Sequence, residues 1–151
     1  MAINREKIQP RGIHVSMVEG KARYTQVVTV SGTGKMIFVA GQLARDAQGV
    51  CVGKGDMRAQ IEQVGKNIQA CLKAAGASTS DIILTRAYVT DADAFKFKQN
   101  ADMRAEYLGP ESPTSTVNTV SKLAAGPDFL VEIEAVANLK SQSAASADHK
   151  P

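Results

Sequence analysis

The chain has no tryptophan, and aromatic residues make up only 5% of it. That is too few, with no basic–aromatic stripe, for the stacking platforms on which single-stranded nucleic acid is held. Cysteine is scarce too. Cys51 and Cys71 form no CxxC pair, so a disulfide framework, a zinc site or a dithiol redox motif has no basis. The two fit free thiols in a reducing compartment. The two histidines, His14 and His149, stand in an irregular region and near the chain end, with no Ser/His/Asp or His/Cys cluster around them. No run of about 18 apolar residues is present to span a membrane. The opening "MAINREKIQPRG" has no apolar signal region, so the expected location is cytoplasmic. The glycine stretches "SGTGK" and "GVCVGKG" lack the strand–loop–helix spacing and GK[ST] ending of a phosphate loop.

Charge is nearly balanced. Lys and Arg number 18 against 15 Asp and Glu, for a net charge of +3. Part of the excess lies near the ends, at Arg5, Lys7, Arg11, Lys140 and Lys150, and no basic block marks a nucleic-acid face.

What is present is the ordinary material of one globular domain: 151 residues, 44% hydrophobic and 22% charged. A chain of this size buries roughly two-thirds of its unfolded surface. Residues 1–12 read as an irregular segment, 13–140 as a single domain, and 141–151 ("SQSAASADHKP") as a disordered tail. Within the domain, "YTQVVTV" (24–30) and "KMIFVAG" (35–41) are β-rich runs joined by "SGTG", a hairpin signal. "DMRAQIEQVGKNIQACLKAAG" (56–76) predicts a helix. Asp56 is its N-cap, Met57, Ile61, Val64, Ile68, Cys71, Leu72 and Ala75 form one stripe, and Gly76 is its stop.

Residues 80–91 read as a strand, with Leu84, Arg86 and Tyr88 on one face and Thr85, Ala87 and Val89 on the other. Residues 92–110 read as one amphipathic helix, with Ala94, Phe97, Ala101, Ala105 and Leu108 inward and Gly109-Pro110 at its end. "TSTVNTVSKL" and "FLVEIEAVANL" (129–139) complete the set. The order ββαβαββ with right-handed crossovers places two helices on one face of a mixed sheet, an α+β fold. The other face, with residues such as Val27 or Val28, Val39 or Ala40 and alternate members of "LVEIEAVA", is too apolar for water, which predicts a homo-oligomer.

Four stretches occur in order: "FVAGQLARDAQG" (38–49), "NIQACLKAAGASTSDIILTRAYVTD" (67–91), "PTSTVNTVSKLA" (113–124) and "LVEIEAVA" (130–137). In these the chain resembles the RidA/YjgF family of enamine and imine deaminases, also called endoribonuclease L-PSP-like proteins. The resemblance implies a chorismate-mutase-like fold of the same ββαβαββ order, and a homotrimer with three small-molecule clefts between subunits. It implies no metal and no organic cofactor, because a protonated imine is already electrophilic. What the chemistry needs is a positioned water, a carboxylate to take its proton and a group to hold the substrate's own carboxylate.

Residue by residue, the resemblance makes Glu132 that catalytic carboxylate and Tyr24 a site tyrosine. It places a polar side chain of the second helix at Gln99 or Asn100. RidA-like deaminases carry an arginine two residues after the proline of a P-x-R-S/T segment; that position here is Ser115. Ser115, Thr116 and Asn118 then stand as cleft-lining groups, and Arg45, Arg23 or Lys122 as a replacement cation. Losing one arm of a buried charge pair costs roughly 2–5 kcal/mol, or about two to three decades of affinity. The implied activity is therefore imine hydrolysis with altered specificity, an aminomuconate-like compound being one candidate substrate. Two other readings stay open: a metabolite-binding protein without turnover, and an RNA-directed role, for which the weak charge gives little footing.

Overall fold

The computed structural model describes residues 4–15, 17–22, 24–32, 34–96 and 100–140. Its elements are β1 (Asn4–Ile8), β2 (Met17–Val18), β3 (Lys21–Ala22), β4 (Val27–Ser31), β5 (Gly34–Leu43), α1 (Met57–Ala74), β6 (Ile82–Val89), α2 (Ala92–Lys96), α3 (Ala101–Tyr107), β7 (Thr114–Thr119) and β8 (Val131–Lys140), with a short 3-10 turn at Thr79–Asp81.

Local chemistry sets the limits of α1. The Asp56 carboxylate accepts from the Ala59 backbone N–H at 3.0 Å, capping the helix start. At the other end Gly76 adopts φ 82°. The Ala77 N–H then reaches the Leu72 carbonyl at 2.9 Å, and the Gly76 N–H reaches Lys73 at 3.0 Å, a Schellman closure. The stripe of Met57, Ile61, Val64, Ile68 and Leu72 is buried as its spacing predicts, while Cys71 and Ala75 are half-buried at its rim.

The main sheet has the order β5-β8-β6-β7, with β6 and β7 parallel and the other pairs antiparallel. On the face under the helices, Ile37 and Val39 of β5, Ala87 and Val89 of β6, and Val131, Ile133, Ala135 and Ala137 of β8 share one core with α1, Phe95, Tyr107 and Leu108. Helix α3 comes so close to α1 that a Cβ on Gly65 would lie 2.2 Å from the Tyr107 ring. Arg58 and Asp102 tie the same helices by a bidentate pair at 2.9 and 2.8 Å. The arginine beside it holds the Asp102 carboxyl below its ordinary value.

Among the described residues the opposite sheet face carries no helix. It presents Met36 and Phe38, the latter 77% exposed. Register places Val136, Glu134 and Glu132 of β8 and Leu84, Arg86 and Tyr88 of β6 on this same side. Ala40 is exposed on β5, whereas Val39 belongs to the covered face. Arg86 pairs with Glu134 at 3.1 Å on this face.

Three expectations need correction. Among the described residues β4 pairs with β1, not with β5, so the "SGTG" hairpin does not form a ladder. The supposedly irregular opening segment supplies the competing partner: "NREKI" is a strand whose polar, exposed side chains hide any period. Its Arg5 meets Asp81 at 3.5 Å, and Lys7 meets the Glu111 carbonyl. Thirdly, the single helix over 92–110 is two, α2 and α3, on either side of residues 97–99. Phe95 is a buried aromatic anchor of this region, and Phe97, the expected one, lies outside the described residues. The expected tail, 141–151, also lies outside them.

Candidate functional site

The sequence candidates divide between the two sheet faces. Ser115 registers with Thr85, and Thr85 with Ala135, which puts all three on the helix-covered side. The Thr85 hydroxyl donates to the Ser115 oxygen at 3.1 Å. Thr116 and Asn118 register with Arg86 and Tyr88 on the open side, where Tyr88 is opposite Glu132. The structure thus brings Thr116, Asn118 and Glu132 to one face, and sets Ser115 on the other.

Glu132 lies between Leu43 and Tyr88 in the ladder, beside the irregularity between Val39 and Gln42. Its carboxylate is folded over Gly41. A Cβ there would meet Glu132 Oε1 at 2.2 Å and its carboxyl carbon at 3.0 Å. The glycine of "AGQ" and the first glutamate of "VEIE" are therefore one local arrangement: a backbone hollow and the acid that fills it. Gly41→Ala is expected to keep stability within about 1 kcal/mol, because the far end of a flexible side chain can move aside. It should nonetheless lower any Glu132-dependent rate at least tenfold. Paired urea-denaturation and rate measurements check this.

On the covered side lies a cavity of about 420 Å³ between β6, β7 and α3. Ser115, Thr85, Val117, Phe95, Arg104 and Lys21 are among its walls. The segment around Tyr24 forms its margin. The Thr25 N–H donates to the Pro113 carbonyl at 3.2 Å, the Thr25 hydroxyl to Ser112 at 2.6 Å, and the Ser112 hydroxyl to the Ala22 carbonyl at 3.1 Å. These bonds fix half-buried Tyr24 next to the start of β7. The β2–β3 turn closes through Glu19 at φ 50° and Gly20 at φ 77°, a two-residue hairpin turn that carries Lys21 to the cavity.

The remaining candidates lie elsewhere. Asn100 is 2% exposed and gives its side-chain N–H to the Ala94 carbonyl. It lines a separate recess with Asp56, Arg58 and Asp91. Gln99 and Arg23 fall outside the described residues. Arg45 is exposed in the loop after β5, with its guanidinium 5.1 Å above the Phe129 ring, and Lys122 is exposed beyond β7. Neither lines the Ser115 cavity. Sequence reasoning missed Arg104 and Lys21. Both sat in plain view, but only the packing of α3 and the β2–β3 turn directs them to β7.

The half-buried Cys51 thiol is pushed up by burial and then by the Asp128 charge, which fits an inert structural thiol better than a nucleophile. Among the described residues, no group of three or more His, Cys, Asp or Glu is placed to hold a metal, and no helix is long and apolar enough to cross a membrane.

A mixed sheet backed by helices on one face, with a cavity under its edge strand, defines an α+β protein. The chain belongs to the RidA/YjgF family: the family model described as Endoribonuclease L-PSP matches residues 16–139. It is 39% identical over 114 residues to a RutC family protein of Pyrococcus horikoshii, covering 76% of this chain and 85% of that one. It is 30% identical over 104 residues to the 2-iminobutanoate/2-iminopropanoate deaminase of Salmonella typhimurium, covering 69% and 80%. A solved structure of the conserved Rid protein family from Yersinia pestis, of unknown function, superposes with a TM-score of 0.75 at 31% identity, over 90% of this chain and 99% of that one.

Proposed function

We propose that this protein hydrolyses C=N bonds of small imines or enamines, and that it does so as a homotrimer whose sites lie between subunits. The observation that carries this reading is the division of the site between faces. Glu132 and the Ser115 cavity are on opposite sides of one sheet. A cleft that uses both needs the carboxylate of one copy against the cavity of another. The exposed apolar surface around Phe38 and Met36, further along the same sheet face as Glu132, supports contact between copies there. The likeness to an imine deaminase supports the reaction class.

In this reading the Glu132 carboxylate takes a proton from water as the water oxygen attacks the imine carbon. A carbinolamine forms. The proton then passes to its nitrogen, the hydroxyl gives its own proton to the freed Glu132 carboxylate as the C–N bond breaks, and a carbonyl compound and ammonia leave. The Tyr24 margin and the Thr85–Ser115 hydroxyl pair position the substrate.

The test pairs light scattering with ammonia release from freshly generated 2-iminobutanoate, 2-iminopropanoate and aminomuconates. A trimer that accelerates at least one of them is the expected result. A monomer, or no release above the uncatalysed rate for any substrate, defeats the proposal. Ligand-induced melting shifts without release would favour the second reading, a metabolite-binding module, which the uncharged Ser115 motivates.

A further inference from the structure

The loop before β7 holds a serine in a conformation that suits glycine. Ser112 has φ 52°, in the left-handed region where a Cβ is strained. Earlier in the same loop the chain does use a glycine, Gly109 at φ 104°. The difference between the two positions is the use of a side chain. The Ser112 hydroxyl donates to the Ala22 carbonyl at 3.1 Å, while the Ser112 carbonyl accepts from the Thr25 hydroxyl at 2.6 Å. A glycine would supply the backbone shape and the carbonyl, but not the donor.

The Thr25 N–H completes this latch by donating to the Pro113 carbonyl at 3.2 Å. Thr25 is 4% exposed, so water competes little for its hydroxyl. The latch joins two walls of the Ser115 cavity, Ala22 on one side and Ser112 with Pro113 on the other. Tyr24 lies within the span that it closes. The following flank is held as well. The Gln9 side-chain amide donates to the Tyr24 carbonyl at 3.0 Å, and its oxygen accepts from the Gln26 N–H at 3.0 Å. These bonds fall on residues 22, 25 and 26 and on the carbonyl of Tyr24. They fix its backbone from both sides and use none of its side chain.

We propose that Thr25 and Ser112 are positioning residues of the site, acting through Tyr24 by holding it at the mouth of the cavity. The left-handed backbone of Ser112 costs stability, and the bond that it permits sets where the Tyr24 segment sits. The inference rests on the proposed site, including the part of Tyr24 in it, but not on turnover.

The test is a double-mutant cycle on the full chain with two readouts: kcat/KM for 2-iminobutanoate, and the calorimetric affinity for its product, 2-oxobutanoate. Thr25→Val removes the hydroxyl with little change of shape. It should lower both quantities about tenfold, as displacement of a site group does, and Tyr24→Phe should lower them by a similar factor. The double variant should stay within about threefold of the larger single loss, because the second change has little left to act on. Thr25→Ser, which keeps the donor, should stay within about threefold of wild type. Ser112→Gly deletes the donor to Ala22 and relieves the left-handed backbone. Its urea midpoint should therefore stay close to that of wild type, while both readouts fall about threefold or more. A purely structural latch would move the midpoint and not the coupling. Losses that multiply in the double variant overturn the proposal, as does Thr25→Val, Tyr24→Phe or Ser112→Gly within twofold of wild type in both readouts. If Thr25→Val fails to fold, Ser112→Gly takes its place in the cycle. Coupled losses of affinity without ammonia release would leave this inference standing and remove the hydrolase reading. Release with multiplying losses would do the reverse. Neither release nor binding up to millimolar concentration would remove both.

Discussion

Glu132→Gln is expected to lower kcat/KM for imine hydrolysis by about 10²- to 10⁴-fold, the range that a positioned general base contributes. The substitution is chosen because it keeps the side chain's size. The amide still fits the hollow over Gly41, so the ladder around Leu43 and Tyr88 is undisturbed. What disappears is the ability to hold a proton between water attack and ammonia departure. Activity within threefold of wild type would remove Glu132 from the chemistry. The same variant also tests whether the site is shared. Subunits carrying Glu132→Gln, refolded with subunits whose cavity is filled by Ser115→Trp, should recover about a quarter of wild-type activity, since random mixing pairs an intact carboxylate with an open cavity at that frequency in a cyclic assembly. Sites contained within one subunit would recover nothing.

Gln60→Ala should cost about 3 kcal/mol and lower Tm by roughly 10 °C. Gln60 is fully buried in α1. Its amide donates to the carbonyls of Asp128 at 2.8 Å and Gly53 at 3.1 Å, and its oxygen accepts from the Leu130 N–H at 2.8 Å. One side chain thus joins the loop before α1 to the turn that launches β8. Truncation leaves those backbone groups without their partner and opens a space beside Cys51, and both terms destabilise. Gln60→Met, which restores volume but not the bonds, should recover less than half of the loss. Urea denaturation with an unchanged m-value separates this from a change in the unfolded chain. A loss below 1 kcal/mol for Gln60→Ala would show that solvent satisfies the same groups.

Gln60 also shows where sequence reading stops. The stripe on α1 was legible because apolar residues recur at helical spacing, yet a glutamine on the buried face reads as polar surface. Only the two loops it bonds reveal its role, and their approach is a tertiary fact. Strand parity was legible for β6, where Arg86 and Thr85 separate as their alternation predicts. It was not legible for β7: in "TSTVNT" every alternate residue is small or polar, so Ser115 and Thr116 could each have faced the helices until the pairing with Thr85 fixed the choice. The N-terminal strand was hidden for the same reason, since "NREKI" forms an exposed ribbon with β4 that buries little. The Glu132–Gly41 arrangement was half visible. Both motifs stood out as family features, but their contact depends on a register shift that spacing does not encode.

The sheet order carries a consequence for biosynthesis. β8 is the last described strand to be made, yet it lies between β5 and β6. Until residues 131–140 emerge from the ribosome, β5 has no neighbour in the main sheet and the apolar stripe of α1 has only half a floor. The nascent chain must therefore carry an unpaired, hydrophobic β5 through most of its synthesis, a template for wrong pairing with other copies. Completion of the domain waits on a long-range closure made all at once, when β8 slides between strands that were translated some ninety and forty residues earlier.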